Sequence, residues 1–403
     1  MYMMRKGKSI LLLSCLFFSF CILFFSCSSE REYLSTDWQE EEGEAMQVSF
    51  HIAFDELSDA RAVTRVDRDG YDSGMETDFE NYIDFENQNF SILFFDKDNK
   101  YISTLQLEGI MLVGNAGYRS KYYDVVGSIR NPLPSIFKVV MLANWREYPK
   151  NNEMVVGQTT IKDICTSPGS QYSYVTPSLF HLSEDCLIPM YGVKLFENVK
   201  FYSNNCTYLG TLHMLRAMSK VEVNYIASET SDDISDYTLE SVTLHRYNSR
   251  GYCAPDNVFM ESDYIKGDYD KDYVDDLHLP NGKNDSDDKN IQFEELSKGS
   301  RFVIYIPEYQ NLLNGNKATD AAEIHLKFAE SDKIHIIDFK YYDNAPKDVA
   351  LGTPFDIHRN YYYKFNVTKT YIDKIDVSVQ VVPYAEVELE PDFGLKPESN
   401  SNN

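Results

Sequence analysis

The chain has 403 residues with a formal net charge of −25 at pH 7. Such an acidic composition argues against nucleic acid as a partner, because phosphate binding requires a basic surface. Tyr (30) and Phe (24) far outnumber Trp (2), which favours strands, since aromatic and β-branched side chains suit a half-buried pleated surface. The length is sufficient for two domains with cores of their own.

The N-terminus has the pattern of a lipoprotein signal peptide. Basic residues precede an apolar run over 10–25, and this run stops at a small residue followed by cysteine: Arg5, Lys6, Lys8, Ser26 and Cys27. The run is near the lower length limit for a spanning helix, and a small residue directly before cysteine is what lipoprotein signal peptidase requires. An uncleaved membrane anchor is the alternative.

This pattern predicts that residues 1–26 are removed and that Cys27 carries a lipid. The short stretch behind it, with Glu30 and Glu32 around Arg31, resembles the surface-export signal of Bacteroidetes lipoproteins. We therefore expect an outer-membrane lipoprotein exposed at the cell surface, with the acidic residues 27–44 as its tether.

From residue 46 the sequence changes to a period of two, which predicts a strand with one buried face. The apolar positions of this first strand are Met46, Val48, Phe50, Ile52 and Phe54. The polar residues 55–81 that follow predict a long exposed loop, which contains Arg61, Arg65 and Arg68.

Further apolar runs predict strands along the rest of the chain. They lie at 90–95, 101–105, 136–142, 221–225, 238–247, 302–306, 324–328, 334–341, 361–367 and 375–382. The first two should form a hairpin, and a short helix is predicted at 160–165 with Thr159 or Thr160 as its cap. Strands without long helical patterns favour an all-β fold of antiparallel sandwiches.

The polar segment 227–235 suggests where the chain divides. We take the strand at 221–225 as the last of the first half. The predicted organisation is then a signal peptide, a tether and two β-sandwich domains, at 1–26, 27–44, 45–228 and 229–403.

One-sided apolar patterns also lie near the C-terminus, in two segments separated by Pro383. Their apolar positions are Ile375, Val377, Val379, Val381, Ala385, Val387 and Leu389. Such a segment either completes its own sheet, which is the more common case, or inserts as an added strand into the groove of a neighbour.

Common catalytic signatures are missing from the sequence: there is no Gly-x-Ser-x-Gly, no His-Glu-x-x-His, no Gly-x-Gly-x-x-Gly after a strand and no phosphate loop. We therefore predict no enzyme, no cofactor and no metal site. The acidic run at 268–272 matches a calcium loop poorly, because Tyr273 stands where glycine is needed and Leu279 where glutamate is needed.

Four cysteines remain in the predicted mature chain: Cys165, Cys186, Cys206 and Cys253. Passage through an oxidising compartment permits disulfides, and four cysteines allow three pairings. Small buried thiols are an equally good interpretation.

Several phrases resemble the fimbrillin-type (type V) pilins of Bacteroidales, and their order extends over nearly the whole mature chain. They are FSILFFD (90–96), VMLANW (140–145), IPMYG (188–192), LRAMSKVEV (215–223), YIPEY (305–309), IHRNYYY (357–363) and VVPY (381–384). Tyr384 departs from the related sequences, which often carry Trp there; both are large aromatic residues.

The resemblance implies two transthyretin-like antiparallel β-sandwich domains in tandem and export as a lipoprotein. It also implies a shaft, tip or accessory subunit of a fimbria, assembled by donor-strand exchange. In shaft subunits, proteolysis after an arginine removes the first strand, and a C-terminal strand of another subunit fills the groove. Here the first strand is 46–54, the cut follows Arg65, with Arg61 and Arg68 as alternatives, and the donor is 375–389.

The implied partners are other fimbrial subunits, the outer membrane through the lipid, and a host or bacterial surface ligand. A surface glycan-binding lipoprotein is the alternative function, although the sequence has only Trp38 and Trp145 as candidate sugar platforms. A surface hydrolase with an unfamiliar active site is a third hypothesis.

Overall fold

The computed structural model describes thirteen parts of the chain. They are residues 45–54, 78–85, 89–114, 121–145, 154–174, 180–183, 185–201, 205–226, 237–255, 279, 290–343, 345–371 and 374–383. The regular secondary structure of this part of the chain is almost entirely strand, which confirms the predicted all-β class.

The first half contains nine strands, one short helix and two 3-10 turns among the described residues. They are β1 (Met46–Phe54), the turn Asp78–Asn81, β2 (Phe90–Asp96), β3 (Tyr101–Thr104), β4 (Gln106–Gly114), β5 (Lys121–Ile129), β6 (Ile136–Ala143), α1 (Ile161–Cys165), the turn Pro168–Ser170, β7 (Gln171–Ser173), β8 (Met190–Glu197) and β9 (Thr207–Arg216).

Among the residues that the structure describes, the second half contains twelve strands and no helix. They are β10 (Ser219–Ile226), β11 (Leu239–His245), β12 (Arg250–Tyr252), β13 (Asn290–Gln292), β14 (Glu294–Ser297), β15 (Arg301–Ile306), β16 (Leu312–Leu313), β17 (Asn316–Lys317), β18 (Glu323–Phe328), β19 (Ile334–Asp338), β20 (Tyr361–Tyr371) and β21 (Lys374–Pro383).

Two local predictions are confirmed. Strands β2 and β3 form the expected antiparallel hairpin. Helix α1 begins after Thr160, whose hydroxyl accepts a hydrogen bond from the Asp163 amide, while the Asp163 carboxylate accepts one from the Thr160 amide. This reciprocal cap satisfies two amides that the first helical turn leaves without partners.

Strands of the first half form one hydrogen-bonded sheet in the order β3-β2-β6-β8-β9-β1-β5-β4. Strands β3, β2, β6 and β8 form one part of this sheet, and β9, β1, β5 and β4 form the other. In the described residues the two parts are joined where β8 pairs with β9, at Met190–Arg216 and Tyr191–Leu215. Seven of the eight residues of β6 are buried, as the sequence predicts for a strand that is apolar on both faces. Burial of apolar surface on β1, β2, β5 and β6 supplies the main stabilisation of this half.

The second half has a five-stranded sheet, β14-β15-β10-β20-β21, and a four-stranded sheet, β13-β11-β18-β19. Two short ribbons complete the fold: β7 pairs with β12, and β16 pairs with β17. Most pairs are antiparallel, as predicted, but β1 with β9 and β10 with β20 are parallel.

The strand predicted at 221–225, taken from the sequence as the last of the first half, corresponds to β10. Strand β10 pairs with β15 and β20, both in the second half. Only Ala217 and Met218, both buried, separate it from β9, so no polar linker marks this change of sheet. Alternation in a sequence identifies a strand but not its partners. We therefore propose that the halves divide at 217–218 and not at 228.

Candidate assembly site

Strand β1 is a central strand of its sheet. It pairs antiparallel with β5 and parallel with β9, so its backbone is hydrogen-bonded on both sides. The predicted alternation is present, since Val48, Phe50 and Ile52 are at most 3% exposed and Met46 is half-buried. Departure of β1 would leave an apolar groove with unpaired backbone along both walls, which is a strong drive for adding another strand.

Buried side chains from both neighbouring strands line this groove. They are Tyr123, Val125 and Ile129 of β5, and Leu209, Leu212 and Met214 of β9. Val125 is the β5 partner of Phe50 at the middle of the strand. Gly127, the partner of Val48, has to be glycine, because a Cβ there would lie 2.6 Å from the Gln106 carbonyl oxygen.

The outward face of β1 is polar. His51 pairs through Nδ1 with the Asp124 carboxylate on β5, and its ring packs edge to face on Tyr208 of β9, with the ring centres 5.0 Å apart. The exposed Gln47 lies on the same face, and its side-chain amide donates to Glu108 over 3.4 Å. His51 is thus in contact with both strands that border β1.

Several predicted site residues lie outside the described part of the chain. These are the lipidation site Cys27, the candidate cleavage sites Arg61, Arg65 and Arg68, and the donor positions Ala385, Val387 and Leu389. Their roles stay predictions.

The next described segment after β1, residues 78–85, is joined to the second half by a buried ion pair. The Lys220 ammonium of β10 donates to the Glu80 carboxylate over 2.8 Å, and both side chains are 2% exposed. The Tyr305 hydroxyl of β15 donates to the same oxygen. Burial raises the pKa of the Glu80 carboxyl, and the positive charge of Lys220 opposes this rise.

A second anchor joins the same segment to the first half. The Asn144 side-chain amide donates to the carbonyl oxygens of Tyr82 and Ile188, at 2.9 and 2.8 Å, and its Oδ1 accepts from the Asp84 amide at 3.1 Å. Asn144 has a φ of 60°, a conformation that asparagine tolerates better than most residues. The segment 78–85 is therefore held by contacts that do not involve β1.

Strand β21 carries the first part of the predicted donor: Ile375, Val377, Val379 and Val381. It is the edge strand beside β20, with Val379 1% exposed and the other three packed partly buried against the core. The Val379 amide donates to the Asp343 carboxylate over 3.2 Å, which partly covers this edge. This part of the segment thus completes its own sheet.

No protein-family model matches the sequence, and no curated protein does. Among solved structures, the tip fimbrial protein Mfa3 from Porphyromonas gingivalis with C-terminal truncation matches with a TM-score of 0.53 and 11% identity, over 84% of this chain and 100% of that chain. The chain has the fold of a fimbrial protein.

A fimbrial assembly protein from Parabacteroides distasonis is also similar, with a TM-score of 0.45 and 13% identity, over 84% of this chain and 99% of that chain. At this level of identity the Mfa3 match establishes the fimbrial fold alone. The resemblance seen in the sequence phrases is thereby confirmed for the fold, and the role of each residue depends on the geometry described above.

The cysteines of this fimbrial fold include at least three free thiols, Cys165, Cys206 and Cys253. Cys165 and Cys253 are buried, and burial raises the pKa of both thiols above its usual value. Since the thiolate is the reactive form, both behave as small core residues. Cys186 is half-buried and exchanges backbone hydrogen bonds with Ser183.

Two further observations concern only the described ranges. No group of three or more His, Cys, Asp or Glu residues there is placed to hold a metal ion. No helix in the same ranges has both the length and the apolar character needed to span a bilayer.

Sequence reasoning missed the buried charges around β10. Lys220 and Glu222 occupy the polar positions of an alternating strand, yet each residue is at most 2% exposed. One sequence feature could have indicated this burial. Both residues belong to the LRAMSKVEV phrase (215–223), in which three charged residues interrupt an apolar run between the two halves of the chain. Buried charges of this kind require partners, and here those are Glu80 and Arg301.

The ion pair of Glu222 with Arg301 predicts an acid sensitivity. The Arg301 guanidinium donates over 2.8 Å, and although burial alone would raise the pKa of the Glu222 carboxyl, this guanidinium lowers it below its usual 4.5. The stabilisation is therefore complete above pH 4.5 and is lost as the pH falls through the lowered pKa. Glu222→Gln should flatten the decline in the urea midpoint below pH 4.5.

Glu240→Gln is the matched control, because Glu240 forms only a half-exposed pair with Lys327. Its urea midpoint should follow that of the unmodified protein as the pH falls. Parallel curves for Glu222→Gln and the unmodified protein would show that the Glu222 carboxylate contributes no acid sensitivity.

Proposed function

We propose that this chain is a cell-surface fimbrial subunit that accepts a strand of a neighbouring subunit in place of β1. The observation that carries the proposal is that β1 is a complete central strand with a buried inward face, bordered by β5 and β9. The arginines at 61, 65 and 68 follow it in the sequence. A cut after Arg65 would separate β1 from all later strands.

The second half offers a comparison that supports this role for β1. Strand β10 has the same surroundings, with the antiparallel β15 on one side and the parallel β20 on the other. It follows β9 after two buried residues, so a single cut cannot free it without exposing the core. Residues 55–77 separate β1 from the next described segment, and that segment is anchored by Glu80 and Asn144.

The same proposal identifies which C-terminal residues of this chain can serve as the donor strand for a neighbour. Because 375–381 pair with β20 and pack on their own core, the segment available to a neighbour is 385–389, where alternation resumes after Pro383. Export as a lipoprotein anchored at Cys27, with 27–44 as tether, would bring the subunit to the outer membrane, where its partners are other fimbrial subunits and a surface ligand.

The glycan-binding alternative gains no support from Trp145. This residue is fully buried, and its indole nitrogen donates to the Met190 carbonyl oxygen over 2.8 Å. A sugar platform requires an exposed aromatic face, which Trp145 does not provide, and Trp38 lies outside the described residues. We propose no catalytic role, in keeping with the fimbrial protein Mfa3 among the similar structures.

Limited trypsin digestion tests the function. We expect a cut between residues 61 and 68, after which a fluorescent peptide of the β1 sequence, MQVSFHIAF, exchanges into the cut protein and displaces the endogenous strand. Exchange is measured by anisotropy, and release of the fragment by mass spectrometry. The uncut chain and an Arg61→Gln, Arg65→Gln, Arg68→Gln variant are the controls. A cut protein that never takes up the peptide would refute the function.

A further inference from the structure

The inward face of β1 determines how large the central side chain of a replacing strand must be. Phe50 lies in the middle of the strand, 3% exposed, with Val125 as its partner on β5. Interiors are packed as densely as organic crystals, so a smaller side chain at this point leaves a void. A strand that replaces β1 therefore needs a large aromatic residue at its centre.

The outward face of β1 determines which charge a replacing strand can carry at the position of His51. His51 lies opposite Asp124 of β5, and the two side chains pair. Asp124 is about one-third exposed, so its charge is only partly screened by solvent. Like charges directly opposite each other on paired strands are destabilising. An acidic residue in the position of His51 is therefore unfavourable, whereas a neutral or basic residue is accepted.

The C-terminal segment of this chain meets neither requirement. Its central apolar residue is Val387, flanked by Glu386 and Glu388. With Val387 in the place of Phe50, one of these glutamates occupies the position of His51 whichever way the segment runs.

Other registers of the segment are no better. A shift that centres Ala385 makes the central residue smaller still, and centring either Ala385 or Tyr384 brings Pro383 into the interior of the strand. A shift that centres Leu389 or the aromatic Phe393 brings Pro391 into the interior instead. Proline removes a ladder hydrogen bond from a central strand, so each of these shifts loses backbone pairing.

We propose that the groove beneath β1 takes a strand from a different subunit and rejects the C-terminal segment of a second copy of this chain. That strand carries an aromatic residue at the Phe50 position and a neutral or basic residue at the His51 position. The inference extends the proposed function, because it requires that β1 can leave. Assembly then has a direction, because this chain accepts a strand from one kind of subunit and donates its own C-terminal segment to another.

Competition on the trypsin-cut full chain tests the proposal. Four unlabelled peptides are tested for their ability to displace the fluorescent β1 peptide: residues 46–54 unchanged, the same peptide with Phe50→Val, the same with His51→Glu, and the chain's own residues 383–391. We expect the Phe50→Val peptide to bind at least about tenfold more weakly. The His51→Glu peptide should bind about fivefold more weakly, and the peptide 383–391 should not compete.

The Asp124→Asn variant of the protein is the control for charge. It should bring binding of the His51→Glu peptide back to within about twofold of the unchanged peptide, since the like-charge pair is then absent. Competition by 383–391 as strong as that of 46–54 would overturn the inference and leave strand exchange standing. Failure of every peptide, including 46–54, would overturn the inference and the proposed function together.

Discussion

Replacement of Phe50 by alanine should lower the free energy of unfolding of the first half by about 3–5 kcal/mol. The side chain is buried at the centre of β1, and its removal loses apolar burial and leaves a cavity beside Val125. Urea denaturation followed by the fluorescence of Trp145, which is fully buried in the same half, measures the loss. A Trp38→Phe background makes Trp145 the single indole probe.

Gln47→Ala is the control on the same strand, because Gln47 is exposed on the outward face. Its effect should stay within about 0.5 kcal/mol. Equal effects of the two substitutions would mean that β1 does not bury its inward face, and the groove on which the proposed assembly depends would not exist.

Replacement of Glu80 by alanine should cost about 3–5 kcal/mol, because it leaves the Lys220 ammonium buried without its carboxylate partner. The double replacement Glu80→Gln, Lys220→Met should recover most of this loss. Met fills a volume similar to that of Lys without a charge, and Gln can still accept the hydrogen bond of Tyr305. Urea denaturation of the single and double variants gives the two values.

Lys97→Ala serves as the control for removing an ion pair, since Lys97 and Asp98 are both exposed and such pairs contribute little. The Glu80 variant should also admit chymotrypsin at Phe79 or Tyr82 in the trypsin-cut protein, whereas the unmodified cut protein should resist. Similar losses for Glu80→Ala and Lys97→Ala would contradict the anchoring role of Glu80.

Sequence patterns predicted strands correctly where one face or both faces of the strand are buried. The limits of β1 could be predicted because Val48, Phe50 and Ile52 lie at every second position and are buried in the same core. Strand β6 was recognisable as apolar on both faces. In these elements the local pattern and the tertiary surroundings agree.

Strands with a mixed pattern were missed. In β4, Leu107 and Met111 are exposed apolar residues, and β5 has Val125 buried beside the exposed Val126. Such sequences give no clear period of two, although backbone pairing on β5 and β1 fixes them as strands.

Long-range pairing could not be read from the sequence. Nothing local indicates that β10 joins β15 and β20, or that Lys220 meets Glu80, which is 140 residues away in the chain. The donor segment illustrates the same limit, because alternation from 375 onwards does not reveal that β20 already pairs with its first part.

Hydrogen–deuterium exchange of the trypsin-cut protein, before and after removal of the β1 fragment, tests the central claim most directly. Amides of β5 and β9 that face β1 should lose protection when the fragment is removed and regain it when the peptide 46–54 is added. Amides of β10, β15 and β20 should stay protected throughout. Unchanged protection of β5 and β9, or simultaneous loss in both halves, would contradict an exchangeable first strand.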